Sequence, residues 1–110
     1  MLENHIWFLQ CRLEWVIKIS RKIKNKDGVY FVGSNADDVT GSCIYIRFNG
    51  KQILLECGLY QNNNYLESYK VNSEKFAFNP SEIDYVFIGH CHVDHIGLLP
   101  KLVKQGFKGQ

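Results

Sequence analysis

Residues 85–95 read Tyr85-Val86-Phe87-Ile88-Gly89-His90-Cys91-His92-Val93-Asp94-His95. The first four form an uninterrupted aromatic and β-branched run, which predicts a buried central strand ended by Gly89. Beyond that stop stand three of the chain's four histidines and one aspartate, all within six residues. Neutral imidazole and carboxylate are good ligands for first-row divalent ions. In extended chain His90 and His92 face the same way, and Asp94 and His95 follow as the chain turns into a helix. Two ligand groups then lie side by side, which predicts two ions. Metals about 3.5–4 Å apart suit displacement at phosphorus, because a bridging hydroxide attacks while both ions neutralise the developing charge. A lone histidine is usually a solvated or core residue. Four donors in six residues at the end of an apolar strand are read instead as a metal site. Zinc suits an imidazole-rich set best, with manganese and iron as alternatives.

Working upstream, Asn79-Pro80 with Glu82 predicts a capped single turn. Ser42–Phe48 and Lys51–Glu56 read as two strands around Asn49-Gly50. Asn-Gly is the strongest short hairpin signal, since both turn residues need positive φ. Cys57-Gly58 ends that hairpin, and Val29–Val32 is a further short strand stopped by Gly33. Residues 59–79 are Asn- and Tyr-rich and read as irregular or partly helical. Tyr60, Tyr65 and Tyr69 are read as helix-face or loop anchors, although tyrosines also stack bases. Downstream, Leu99 resists helical torsions because it precedes Pro100. Pro100 opens a helix that runs to Gln105 and stops at Gly106. Lys101, Lys104 and Lys108 then form a solvated basic face rather than a phosphate-binding one.

The chain has 110 residues, 45% of them apolar and 22% charged, which fits one globular domain and excludes whole-chain disorder. No apolar run approaches the roughly 18–20 residues that span a bilayer. The net charge of +2 is too small to signal nucleic-acid binding by itself. It is unevenly spread: residues 1–26 carry six Lys/Arg against two Glu, and the remainder carries seven basic against nine acidic residues. Residues 1–26 are read as a basic extension whose apolar residues fit an amphipathic helix, with Leu13–Ile19 also alternating as a strand would; packing on the domain or a poorly ordered extension is favoured over lying on a membrane surface. Cys11, Cys43, Cys57 and Cys91 form no CxxC pair, and no secretory signal opens the chain. Reduced thiols in a cytoplasmic protein are the expectation, with Cys91 a small packing residue.

His90-Cys91-His92-Val93-Asp94-His95 resembles the HxHxDH signature of the metallo-β-lactamase superfamily. Val39–Cys43, Cys57–Gln61, Ile83–Ile88 and His95–Pro100 are similar to its β-CASP branch of RNA-processing nucleases, and the likeness runs from about residue 29 to residue 109. It implies an α+β fold, the N-terminal half of an αββα sandwich over residues 27–110, with a mixed or antiparallel sheet and flanking helices. It implies that His90 and His92 bind one zinc and Asp94 and His95 a second, with Asp94 also holding the bridging water and taking its proton. Glu56 stands where the family has a supporting aspartate, one methylene longer, so support of the site and a plain strand-end role are evenly balanced. Thr40, Gly41 and Ser42 lie near the metal loop in the family. As residues they read as a strand-entry turn with a hydroxyl cap.

No His follows His95 and no Asp or Glu follows Asp94, so the family's later ligands are absent from these 110 residues. The expectation is therefore an N-terminal piece of a zinc-dependent, RNA-cleaving phosphodiesterase, inactive alone, with RNA as substrate and the remaining half-domain or an oligomer as partner. Such a piece exposes sheet edges and apolar faces and is expected to be marginally stable. The alternative is a truncated, non-catalytic remnant that binds metal or a partner chain.

Overall fold

The computed structural model describes residues 23, 25–33 and 41–110. The expected N-terminal helix and Thr40 lie outside the described residues. Four strands form one mixed sheet in the order β1 (Gly28–Phe31), β2 (Ile44–Phe48), β3 (Lys51–Leu55) and β4 (Tyr85–Phe87). The first two pairings are antiparallel and the last is parallel. Asn49 and Gly50 have φ of 47° and 76° and join β2 to β3, the left-handed pair that a two-residue hairpin needs. The architecture is the α+β arrangement expected of a partial metallo-β-lactamase domain.

Register explains the core. Tyr30 faces Tyr45, Tyr45 faces Leu54, and Leu54 faces Val86, so one row of side chains crosses all four strands. Leu54 is fully buried, and the Tyr30 and Tyr45 rings lie 5.7 Å apart. Cys43, Cys57, Ile83 and Leu102 complete this core, with Phe76, Phe78, Leu98 and Phe107 packed around it. The buried Cys43 thiol is hydrogen-bonded to Cys57, which raises its pKa, and burial raises it further. The same hydrogen bond lowers the pKa of Cys57.

Among the described residues, three helices and one turn flank the sheet. Helix α1 (Tyr65–Ser73) buries no side chain. Polar contacts hold it instead: Asn72 exchanges two 2.8 Å hydrogen bonds with the backbone of Tyr60. Lys101 Nζ donates to the carbonyls of Asn72 and Glu74 and lies over the Phe76 ring. The basic face expected along Lys101, Lys104 and Lys108 is thus broken, because Lys101 closes the C-terminal end of α1. Asn79 caps a 3-10 turn over Pro80–Glu82, as read from sequence.

Helix α2 (Val93–Ile96) carries the histidine motif and leads into α3 (Leu99–Lys104). Leu99 is the first residue of α3 rather than excluded from it. Its side chain packs on the core and Pro100 sits in the first turn, where no amide donor is needed. The helix ends at Lys104, one residue before the Gln105 expected, and Gly106, with φ 108°, is the stop as read from sequence. Phe107 N–H donates to Leu102 O and Gly106 N–H to Val103 O, a Schellman closure.

The expectation of a fully buried β4 is corrected. Phe87 is 57% exposed and Ile88 38% exposed, and β4 ends the strand order. Its far edge is only partly paired: Val86 N–H donates to Gln110 O and Gln110 N–H to Asp84 O. An apolar run identifies a strand suited to burial, but burial needs a neighbour on each face. Leu54→Ala is expected to cost about 2–5 kcal/mol, whereas Leu66→Ala on exposed α1 should stay within about 0.5 kcal/mol. Urea titration of both variants checks the difference.

Candidate metal centre

The site is assembled where the β2–β3 hairpin runs out. Ile44 pairs with Leu55, so an unbroken ladder would oppose Ser42 to Cys57. Instead Gly58 N–H donates to Ser42 O at 2.9 Å, one residue later. The extra residue is Glu56, which has φ 64°. This is a β-bulge, a device that re-aims a side chain at a strand end. Cys57 turns into the core while Glu56 is freed to face the segment after β4.

The bulge also grips α2. Cys57 N–H donates to His95 O at 2.7 Å, Leu59 N–H to Val93 O at 3.0 Å, and Ser42 N–H to Asp94 O at 3.0 Å. Leu98 N–H donates back to Cys57 O at 3.0 Å. Gly58 allows this approach, since a Cβ there would overlap Asp94 O and stand 2.9 Å from Ser42 N. Ser42 thus lies beside the motif, as the resemblance implies, and is bonded to it through its amide.

The side chains of the motif come together. The His90 and His92 rings are 4.1 Å apart and the His90 and His95 rings 4.9 Å apart, both edge to face. Asp94 Oδ2 lies 3.3 Å from His95 Nε2. Two ligand atoms on one tetrahedral zinc, with bonds of about 2.0 Å, are separated by about the same distance. Glu56 Oε1 accepts from Gly89 N–H at 2.8 Å. Glu56 Oε2 faces His95 Nδ1 at 3.4 Å. Those two atoms are buried and without a hydrogen bond.

Among the described residues no three His, Cys, Asp or Glu donors are arranged around a common ion position. The rings are gathered but rest edge to face, the packing that uncharged aromatic rings prefer. The donor chemistry fits a divalent ion: three imidazoles and a carboxylate meet at one strand end, with a second carboxylate behind His95. Cys91 is exposed between the two leading histidines.

Sequence reasoning missed the bulge, because a glutamate at positive φ leaves no local signal. Cys57-Gly58 was the nearest cue. Gly58→Ala is expected to lower stability by about 3 kcal/mol or more, since backbone rather than a flexible side chain must yield. Comparing urea midpoints of Gly58→Ala and the unsubstituted chain tests this, and an unchanged midpoint would show that α2 is not clamped as described.

The family model of the metallo-beta-lactamase superfamily matches residues 36–110. Ribonuclease TTHA0252 of Thermus thermophilus is 39% identical over 74 residues, covering 67% of this chain and 16% of that protein. Cleavage and polyadenylation specificity factor 73 of Drosophila melanogaster is 38% identical over 74 residues, covering 66% of this chain and 10% of that protein. Transcription termination factor FttA of Methanosarcina mazei is 33% identical over 95 residues, covering 84% of this chain and 15% of that protein. The chain thus spans 10–16% of the length of these relatives. It belongs to the metallo-beta-lactamase superfamily, and the relatives it matches are of the β-CASP RNA-processing branch.

Proposed function

We propose that this chain carries the metal-binding and water-activating part of an RNA-cleaving phosphodiesterase. The observation that carries the reading is the meeting of His90, His92, Asp94 and His95 at the end of β4, in a chain whose relatives include a named ribonuclease. His90 and His92 would hold one zinc, and Asp94 and His95 a second. When bound, such ions supply a water of lowered pKa and neutralise charge developing at phosphorus.

The chain's own residues do the rest. Asp94 Oδ accepts the proton of the attacking water. Glu56 faces His95 Nδ1 at 3.4 Å, where it would orient the ring, and holds Gly89 through its amide, so one carboxylate reaches both ends of the segment from Gly89 to His95. A carboxylate behind a ligating imidazole sets its tautomer and raises its basicity. RNA enters as the substrate, consistent with the ribonuclease named among the relatives. No described helix is long and apolar enough to cross a membrane. A second reading, metal or partner binding without catalysis, draws on the donors' not being arranged around a common ion position among the described residues.

In an extended protein that supplies the rest of the domain, His92→Ala is expected to lower bound zinc and to cut cleavage of a labelled single-stranded RNA by more than about 100-fold. Glu56→Gln should cost about 10–100-fold in zinc affinity, the usual range for a group behind the ligands. Metal analysis by mass spectrometry and a gel assay read both. Zinc bound without cleavage favours the second reading, and cleavage unaffected by His92→Ala overturns the first.

A further inference from the structure

Cys43 and Cys57 take no part in the proposed reaction, yet the bulge brings them together. Both are buried, and both line one open cavity of about 570 Å³ with Val32, Gly33, Phe76 and Leu98. The β2–β3 register carried past Ile44 and Leu55 sets Cys43 opposite the Glu56–Cys57 bulge. Directly opposed residues of an antiparallel ladder have Cα atoms about 4.5–5.5 Å apart. That lies within the roughly 4.4–6.8 Å that a disulfide spans. Cys57 is also bonded to the candidate centre: its amide donates to His95 O, its carbonyl accepts from Leu98 N–H, and Glu56 precedes it.

We propose that Cys43 and Cys57 form a redox-reactive pair that closes to a disulfide under a hydroperoxide, and that closure moves Glu56 relative to His95. The oxidant reaches the sulfurs through the cavity. One cysteine, as thiolate, attacks the peroxide; the O–O bond breaks, hydroxide or alkoxide leaves, and a sulfenic acid remains. The second sulfur displaces that oxygen as water, with its own proton, and the S–S bond forms. Two electrons pass from the thiols to the peroxide, and a dithiol returns them by exchange. Forming the bond draws the two sulfurs from hydrogen-bond distance to about 2.05 Å. The strain falls on the bulge, whose left-handed residue is Glu56.

The pair is tested without metal or RNA, so its failure is separate from failure of the nuclease reading. The full chain is treated with hydrogen peroxide, alkylated and digested, and its His95 imidazole is followed by nitrogen NMR. The expected result is a peptide linked through Cys43 and Cys57, loss of two hydrogens from the intact mass, reversal by dithiothreitol, and a shifted His95 signal. Cys43→Ser should abolish the linkage and leave the His95 signal unmoved by peroxide. The peptide map uses the unsubstituted chain and so does not depend on that variant folding. Recovery of Cys43 and Cys57 as separately alkylated thiols overturns the proposal. So does linkage of either one to Cys91, or a Cys43–Cys57 linkage with an unmoved His95 signal.

Discussion

The grip of the hairpin end on helix α2 is the constraint on which the rest depends. A four-residue helix has no stability of its own, because nucleation costs more than so few hydrogen bonds return. Its last carbonyls also lack partners within the helix. Here the carbonyls of Asp94 and His95 are taken by the amides of Ser42 and Cys57, and Leu59 N–H adds a second bond to Val93 O, which also accepts from Gly97 N–H. The same bonds satisfy amides that leave the ladder at the bulge. Two sets of backbone groups that would be costly to leave unpaired in a partly buried site thus satisfy each other. The absence of a side chain at Gly58 is what lets them meet.

Glu56 shows how this constraint becomes chemistry. Its left-handed φ breaks the in–out alternation of β3, so Leu54 and Cys57 both face the core. Regular alternation would have turned Glu56 toward the side that Leu54 buries, where an ionised carboxylate is expensive. The bulge avoids that cost and delivers the carboxylate to Gly89 and His95. The sheet's burial pattern and the direction of the carboxylate are consequences of one backbone irregularity.

Much of this was legible in the sequence, where local chemistry dictates geometry. Asn49-Gly50 set the hairpin, Asn79-Pro80 the 3-10 turn, Gly106 the end of α3, and the crowded donors after Ile88 the place of the candidate site. What escaped was set by tertiary context. Helix α1 has no apolar stripe and rests on Asn72 and Lys101, so hydrophobic periodicity could not find it. Lys101 looked like a solvated cation because its acceptors lie 27 and 29 residues away in sequence. The exposure of Phe87 followed from what packs beside β4, which composition does not encode. The bulge at Glu56 was invisible because the left-handed torsion is imposed by pairing on both sides of the residue, not by the residue itself.

The edge-to-face packing of the three imidazoles raises the question of whether the pocket opposes a metal, and magnitudes answer it. Holding a side chain off its preferred rotamer costs about 0.5–1.5 kcal/mol. Structural zinc binding in small domains returns about 10–16 kcal/mol. Against a complete ligand set, turning an imidazole toward an ion would be a minor cost. What side-chain rotation cannot supply is the position of their Cα atoms, and that is already given by β4, the Glu56–Gly89 bond and the clamp on α2. The 3.4 Å gap between Glu56 Oε2 and His95 Nδ1 belongs to the same pattern. The backbone is set and the carboxylate is anchored through its other oxygen, so closing that gap would take only side-chain rotation.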